Sequence, residues 1–227
     1  MKVRIKFSKE GPIKFIGHLD VMRYFQKAIR RADIDIAYTT GFSPHQIMSF
    51  ASPLSVGHES IGEYFDVELH SIVSEEDMKN RLNSVMVEGI QILDVAVLDD
   101  KEGNAMASVS ACDYLVSFSD KVMLPEDWKD RLYAFYQQES IPVIKKTKKG
   151  EKELNLKEGI YRMEIRDEQV YMLLDAGSGS NIKPGFVLET FFDSLGIELP
   201  AYPFRIKRID TYKRNEENRL VPLIPRA

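Results

Sequence analysis

An α+β protein built on antiparallel sheets is the fold class this sequence predicts, and three observations lead there. Segments of period two and segments of helical period alternate over residues 1–98 in the order strand, helix, strand, strand, helix, strand. The same order recurs after residue 108 with an additional hairpin. The polar stretch DDKEGNAMA, residues 99–107, separates the two runs. Two β-α-β-β-α-β units in tandem are ferredoxin-like halves. The expected domains are an N-terminal half over 1–100 and a C-terminal half over 108–227 that carries the extra hairpin.

In the first half, Val3, Ile5 and Phe7 alternate with Lys2, Arg4 and Lys6, the pattern of a half-buried strand that Gly11-Pro12 ends. Leu19, Met22, Phe25, Ile29 and Ala32 then follow helical spacing, with Gly17 or His18 opening the helix. Ile47 to Ala51 is a short strand. Tyr64 to Leu69 is another, with Phe65, Val67 and Leu69 on one face and Asp66 and Glu68 on the other. Ser74 followed by Glu75, Glu76 and Asp77 marks a helix start, because the hydroxyl caps free N–H groups and the carboxylates favour the positive end of the helix dipole. Ile90 to Leu98 supplies the last strand of this half.

In the second half, Ser110 to Ser119 reads as a strand, and Leu124-Pro125-Glu126-Asp127 leads into a helix through Trp128, Leu132 and Phe135. Ile141 to Lys146 and Lys152 to Leu156 form a hairpin around Lys149-Gly150. Ile160 to Ile165 and Val170 to Leu174 form a second around Asp167-Glu168. Lys183-Pro184 opens a helix that Gly196 stops, and Phe204 to Tyr212 closes the fold as a strand.

Composition narrows the function classes. The 227 residues are 44% hydrophobic and 29% charged, ordinary for a globular protein. No apolar stretch is long enough to span a bilayer, and MKVRIKFSKEGPIKF has no signal-peptide core, so the expected location is cytoplasmic and away from membranes. The single cysteine, Cys112, cannot make an internal disulfide or hold an iron–sulfur cluster, and no cofactor is expected in the chain. The net charge of −4 conceals a segregation: residues 1–32 hold nine Lys or Arg against two carboxylates, and residues 59–102 hold twelve carboxylates against three cations. Segregated charge makes a local positive surface on an acidic protein.

Three motifs carry candidate chemistry. On the first helix Arg23, Lys27 and Arg30 fall at i, i+4 and i+7, one basic face that serves either as a phosphate-facing surface or as a merely solvated one. The stretch YTTGFSPHQIMSFASPLSVGHES, residues 38–60, flanks a short strand with glycines, prolines, hydroxyls and two histidines. His45 and His58 stand thirteen residues apart with no third ligand, which disfavours a metal, and Ser49 has no Gly-x-Ser-x-Gly elbow, which disfavours a serine hydrolase. The remaining reading is a loop–strand–loop whose backbone approaches a ligand closely. Lys145, Lys146, Lys148 and Lys149 crowd a hairpin tip, either as a guard against edge pairing or as a clamp on a polyanion.

The run from RIKFSKEGPIKFIGHLD through RRA, GFSP, SFASPL and GEYFDVEL resembles the bacterial radical-SAM-linked protein family of unknown function (DUF2344-like), and the similarity extends more loosely through KKTKKGEKELNL and IKPGFVLETFF. The resemblance implies association with a radical-SAM protein and supplies no activity of its own. Where such sequences carry a basic residue after the proline of GFSP, this chain has His45 followed by Gln46. The tandem order also looks like that of RNA-processing RAMP proteins and some pseudouridine synthases, an analogy of fold alone.

The function expected from these features is an accessory binding module that presents an RNA or RNA–protein substrate to a radical-SAM partner. The candidate ligand-binding residues are His18, Arg23, Lys27, Arg30, His45, Ser49, Lys145, Lys146, Lys148 and Lys149, with Lys6 as a further phosphate contact and His45 and Ser49 lining a cleft between halves. The alternatives are a protein-interaction scaffold that binds no nucleic acid, and a metal-independent RNA-processing enzyme using His18 or His45 as general acid or base.

Overall fold

The structure, a computed structural model, describes residues 1–99, 101–147, 150–179 and 181–225. The chain is a mixed α/β protein with a large, mostly antiparallel sheet and, among the described residues, six α-helices. It divides into two compact units, Met1–Ser110 with Arg208–Ala227, and Ala111–Lys207.

The first unit is laid out around β1 (Lys2–Lys9). This strand pairs antiparallel with β3 (Glu59–Glu68) on one side and β4 (Ile90–Val97) on the other, in registers that set Ile5 opposite Phe65 and Val95. The short β2 (Met48–Phe50) extends the outer edge of β3, with Phe50 opposite Phe65. A 3-10 turn at Gly11–Phe15 precedes α1 (His18–Arg31), and α2 (Glu75–Asn83) lies between β3 and β4. Ser74 caps α2 by accepting from the Asp77 N–H, as the hydroxyl followed by three carboxylates requires.

The core sits between one sheet face and the two helices. Val3, Ile5 and Phe7 of β1 meet Val21, Phe25 and Ile29 of α1 and Met78 and Leu82 of α2. Four phenylalanines form its centre: Phe25 stands 4.7 Å from both Phe7 and Phe65, and Phe50 stacks on Phe65 at 4.9 Å. The helical phase therefore differs slightly from the sequence expectation. Phe25, Ile29 and Ala32 of the expected stripe are buried and Met22 packs against the core, but Val21 and Ala28 join them while Leu19 is exposed, so the stripe in the first turn centres on Val21 and not on Leu19.

The polar face of β1 corrects a second expectation. Arg4 and Lys6, read as the wet side of a half-buried strand, are both buried. The covering pieces are distant in sequence. Arg4 donates to the carbonyls of Gly103 (2.9 Å) and Leu223 (3.1 Å) as well as to Asp66 on β3. Gly103 leads into the one-turn α3 (Ala105–Ser108), whose Ala105 N–H bonds the same Asp66 carboxylate at 2.7 Å.

The second unit contains β5 (Ala111–Phe118), α4 (Trp128–Gln137), the separate hairpin β6 (Pro142–Thr147) and β7 (Gly150–Asn155), and the single turn α5 (Leu156–Gly159). There follow β8 (Ile160–Arg166), β9 (Gln169–Asp175) and α6 (Pro184–Ser194). β9 is flanked antiparallel by β5 and β8. Cys112 is buried in β5. Finally β10 (Phe204–Arg214) passes back into the first unit from Arg208 onward, and β11 (Leu220–Pro222) pairs with its end. There β10 lies so close to β3 that a Cβ on Gly62 would sit 2.4 Å from the Asp210 Cα, so only glycine fits.

Candidate nucleic-acid interface

The outer face of α1 follows directly from its spacing. With Val21, Phe25, Ala28 and Ile29 turned inward, Arg23, Lys27 and Arg30 are turned out, and all three are exposed. Arg23 reaches Asp20 at 3.4 Å, a solvated pair that leaves most of the cation available. Among the described residues neither Lys27 nor Arg30 has an ion pair.

The loop of the signature stretch docks beside this face. Gln46, buried, donates from Nε2 to the Gln26 carbonyl of α1 (3.3 Å) and to the Tyr38 hydroxyl (3.4 Å). Gln26 adjoins Lys27 and stands one turn from Arg23 and Arg30, so the shared donor fixes the loop against the basic row. The base of the loop is stapled. Thr39 N–H bonds the His45 carbonyl at 2.9 Å, His45 N–H bonds Thr39 Oγ1 at 3.1 Å, and the His45 ring nitrogen Nδ1 lies 3.0 Å from the same hydroxyl. Gly41 takes φ +111°, a conformation L side chains rarely adopt, and Phe42 at the tip is fully exposed.

The structure thus turns Arg23, Lys27 and Arg30 out on α1 and ties the loop that carries His45 to the same helix through Gln46; that loop also exposes Tyr38 and Phe42, which the sequence reading passed over. Their signal was present as aromatics at either end of the turn-forming string TTG, but a loop aromatic has no period to mark it. Two other candidates fall elsewhere. His18 belongs to the inward stripe of α1, three residues before Val21 and seven before Phe25, and its ring packs edge-on to Phe50 at 5.3 Å. Ser49 alternates with Phe50 and so lies on the opposite sheet face, opposite Asp66 in register and 3.5 Å from Asn104. Lys6 is no surface cation: its ammonium bonds Asp210 at 2.7 Å beside the Tyr64 ring. Lys145 and Lys146 lie on β6, with their side chains outside the described residues, as are Lys148 and Lys149 altogether.

Behind α1's first turn lies a polar cluster of a different kind. Lys9, buried, donates to the carbonyls of Lys14 (3.3 Å) and Ile16 (3.0 Å), and burial holds its ammonium below the ordinary lysine value against the opposing pull of Glu63. Glu63 in turn accepts from Arg208 at 2.8 Å, which also bonds the Ser52 carbonyl at 2.7 Å. The cavity among Lys9, His18, Phe50, Leu54 and Glu63 measures about 20 Å³, room for one water molecule. These contacts pin the 3-10 turn and the SFASPL segment to the sheet and so set where α1 begins. Among the described residues no hydrogen bond joins His18 or His45 to a carboxylate, and no three His, Cys, Asp or Glu side chains gather as a metal site.

On the other sheet face Tyr64 donates to Asp210 at 2.6 Å. Burial, reinforced by that carboxylate, raises the phenol above its ordinary value. A raised folded-state pKa stabilises the fold fully below the unfolded value of about 10, and the contribution is lost as pH rises beyond it. Thermal melts above pH 10 should therefore show a falling Tm that Tyr64→Phe flattens; an alkaline slope identical in the variant would count against this assignment.

Comparison with known proteins places the chain. The family model for DUF2344, described as an uncharacterized protein conserved in bacteria, matches residues 2–184. The chain belongs to the DUF2344 family. The matched span includes every residue of the α1 face and its loop, so the candidate surface lies within the DUF2344 portion of the chain. Among the curated proteins none matches. A solved chain from "Crystal Structure of a Cbf5-Nop10-Gar1 Complex" aligns with 94% of this DUF2344 chain at 10% identity and a TM-score of 0.48, a likeness too slight to carry an argument; the DUF2344 chain spans 50% of that chain's length. No helix among the described residues is long and apolar enough to cross a membrane.

Proposed function

We propose that this DUF2344 chain is an RNA-binding module that presents an RNA or RNA–protein substrate to a radical-SAM partner, with Arg23, Lys27 and Arg30 as its principal phosphate contacts. The observation that carries the reading is the exposed cationic row on α1 with the aromatic loop fixed beside it. Seven residues of helix rise span about 10 Å, the length of roughly three nucleotides along one strand. Lys145, Lys146, Lys148 and Lys149 are proposed as a second set of cations. With one cysteine in the sequence, buried in β5, the iron–sulfur chemistry of such a pair belongs to the partner. Two ferredoxin-like halves are the architecture proposed to carry the module; antiparallel neighbours β4, β1, β3 and β2 in that order support it for the first unit.

The test is a binding titration against bulk tRNA or rRNA fragments at two salt concentrations. Three phosphate contacts on a single strand give a log–log salt slope of about −2. The combined variant Arg23→Glu, Lys27→Glu, Arg30→Glu, whose changes are all exposed, should lose binding and keep its fold. Affinity that is absent, or indifferent to salt, overturns the proposal.

A further inference from the structure

We infer that the interface takes unpaired RNA, with bases stacked on Phe42 and Tyr38 while α1 holds the phosphates; the inference rests on the RNA-binding reading above. The first support is the way Phe42 is presented. An aromatic side chain left entirely in water forgoes one of the larger stabilising terms available to a fold, yet this one stands on a turn built to keep it out. The Thr39 N–H to His45 carbonyl bond, the His45 N–H to Thr39 Oγ1 bond, the Tyr38–Gln46 bridge and the Ile47 N–H to Ala37 carbonyl bond close the loop beneath it. Pro44, with its fixed φ, restricts the tip on its C-terminal side, and Gly41 supplies the positive φ the turn needs on the other. Little conformational entropy remains to be lost on binding, which is what a recognition ring requires.

The second support is what surrounds the rings. Tyr38 is about half exposed and held by its hydroxyl, so its face and not its polar end is offered. Among the described residues no aromatic ring and no cation lies against either ring. Apart from Pro44, the remaining loop side chains are Thr39, Thr40, Ser43 and His45, all of types able to hydrogen-bond, and the adjoining helix face is cationic. An apolar protein partner would meet only one fully exposed hydrophobic group here and would bury Arg23, Lys27 and Arg30 without countercharge. A nucleic-acid strand meets both demands: its phosphates match the cations and its bases match the rings. Stacking needs a base with a free face, which a base inside a duplex does not have, so the preferred ligand is single-stranded or looped.

Fluorescence anisotropy on the full chain tests this with three ligands: a labelled single-stranded oligoribonucleotide, the same sequence as a blunt duplex, and inorganic polyphosphate as a base-free polyanion. Phe42→Ala should weaken the single strand about tenfold, the scale of one lost base stack, and leave polyphosphate unchanged, while Phe42→Trp should retain single-strand affinity. The inference is overturned if Phe42→Ala leaves the single strand unaffected, if it weakens polyphosphate equally, or if the duplex binds as tightly as the strand. In each of those cases salt-dependent binding through α1 survives. A wild-type protein that binds none of the three at low salt overturns both readings together.

Discussion

Asp66→Ala should destabilise the first unit by about 3–5 kcal/mol, the loss expected when one partner of a buried ion pair is removed. The Asp66 carboxylate accepts from Arg4 Nε at 2.8 Å, from Arg4 Nη2 at 3.1 Å and from the Ala105 N–H at 2.7 Å. Alanine leaves a guanidinium of zero exposure with only the Gly103 and Leu223 carbonyls, and an orphaned N–H beside it. The same physics makes the double variant Arg4→Met with Asp66→Leu much milder, because a buried pair replaced by apolar groups of similar size is often neutral or better. Urea denaturation followed by far-ultraviolet circular dichroism measures both. A single variant losing less than about 1 kcal/mol, the range of an exposed pair, would show that water reaches the site.

Phe25→Ala should cost about 3–5 kcal/mol, as large-to-small changes of aromatic core residues do. Phe25 is wholly buried and touches the rings of Phe7, Phe50, Phe65 and Tyr24, so its removal opens a void shared by β1, β2, β3 and α1. The rigid sheet on one side limits collapse, which places the expected loss toward the upper end of the range. Phe25→Leu should recover most of it. The functional corollary is specific: α1 is pinned to the core through this ring, so under the proposed function RNA affinity in the alanine variant should fall in step with the fraction folded on heating. An alanine variant as stable as the wild type would mean that α1 repacks, contrary to the close ring distances seen here.

Much of this was legible because it depends on neighbours in sequence. The basic row at Arg23, Lys27 and Arg30, the Ser74 cap and the β8–β9 turn at Asp167 follow from periods and local hydrogen bonds, and the structure has them where the pattern put them. The one-turn helices α3 and α5 and the three-residue β11 were not read, since segments of three or four residues contain no period. His18 stands as a possible contact in the sequence because the helix start is visible there while the stripe's first turn, assigned to Leu19, leaves the facing of His18 open. Fixing the buried stripe at Val21, Phe25 and Ile29 turns that ring inward.

The interface divides the same way. Sequence alone determined that α1 is amphipathic with a cationic outer face, that residues 38–60 form a loop–strand–loop, and that one cysteine excludes an internal iron–sulfur site. Only the tertiary structure decided that Arg4 and Lys6 are interior, because the segments that cover them lie roughly a hundred and two hundred residues away. Only it decided that the loop carrying Phe42 rests on α1, because that placement hangs on Gln46 bridging Gln26 and Tyr38. Periodicity reports which way a side chain faces within its own element; whether that direction meets water, a carboxylate or another loop is set by chain that arrives from elsewhere.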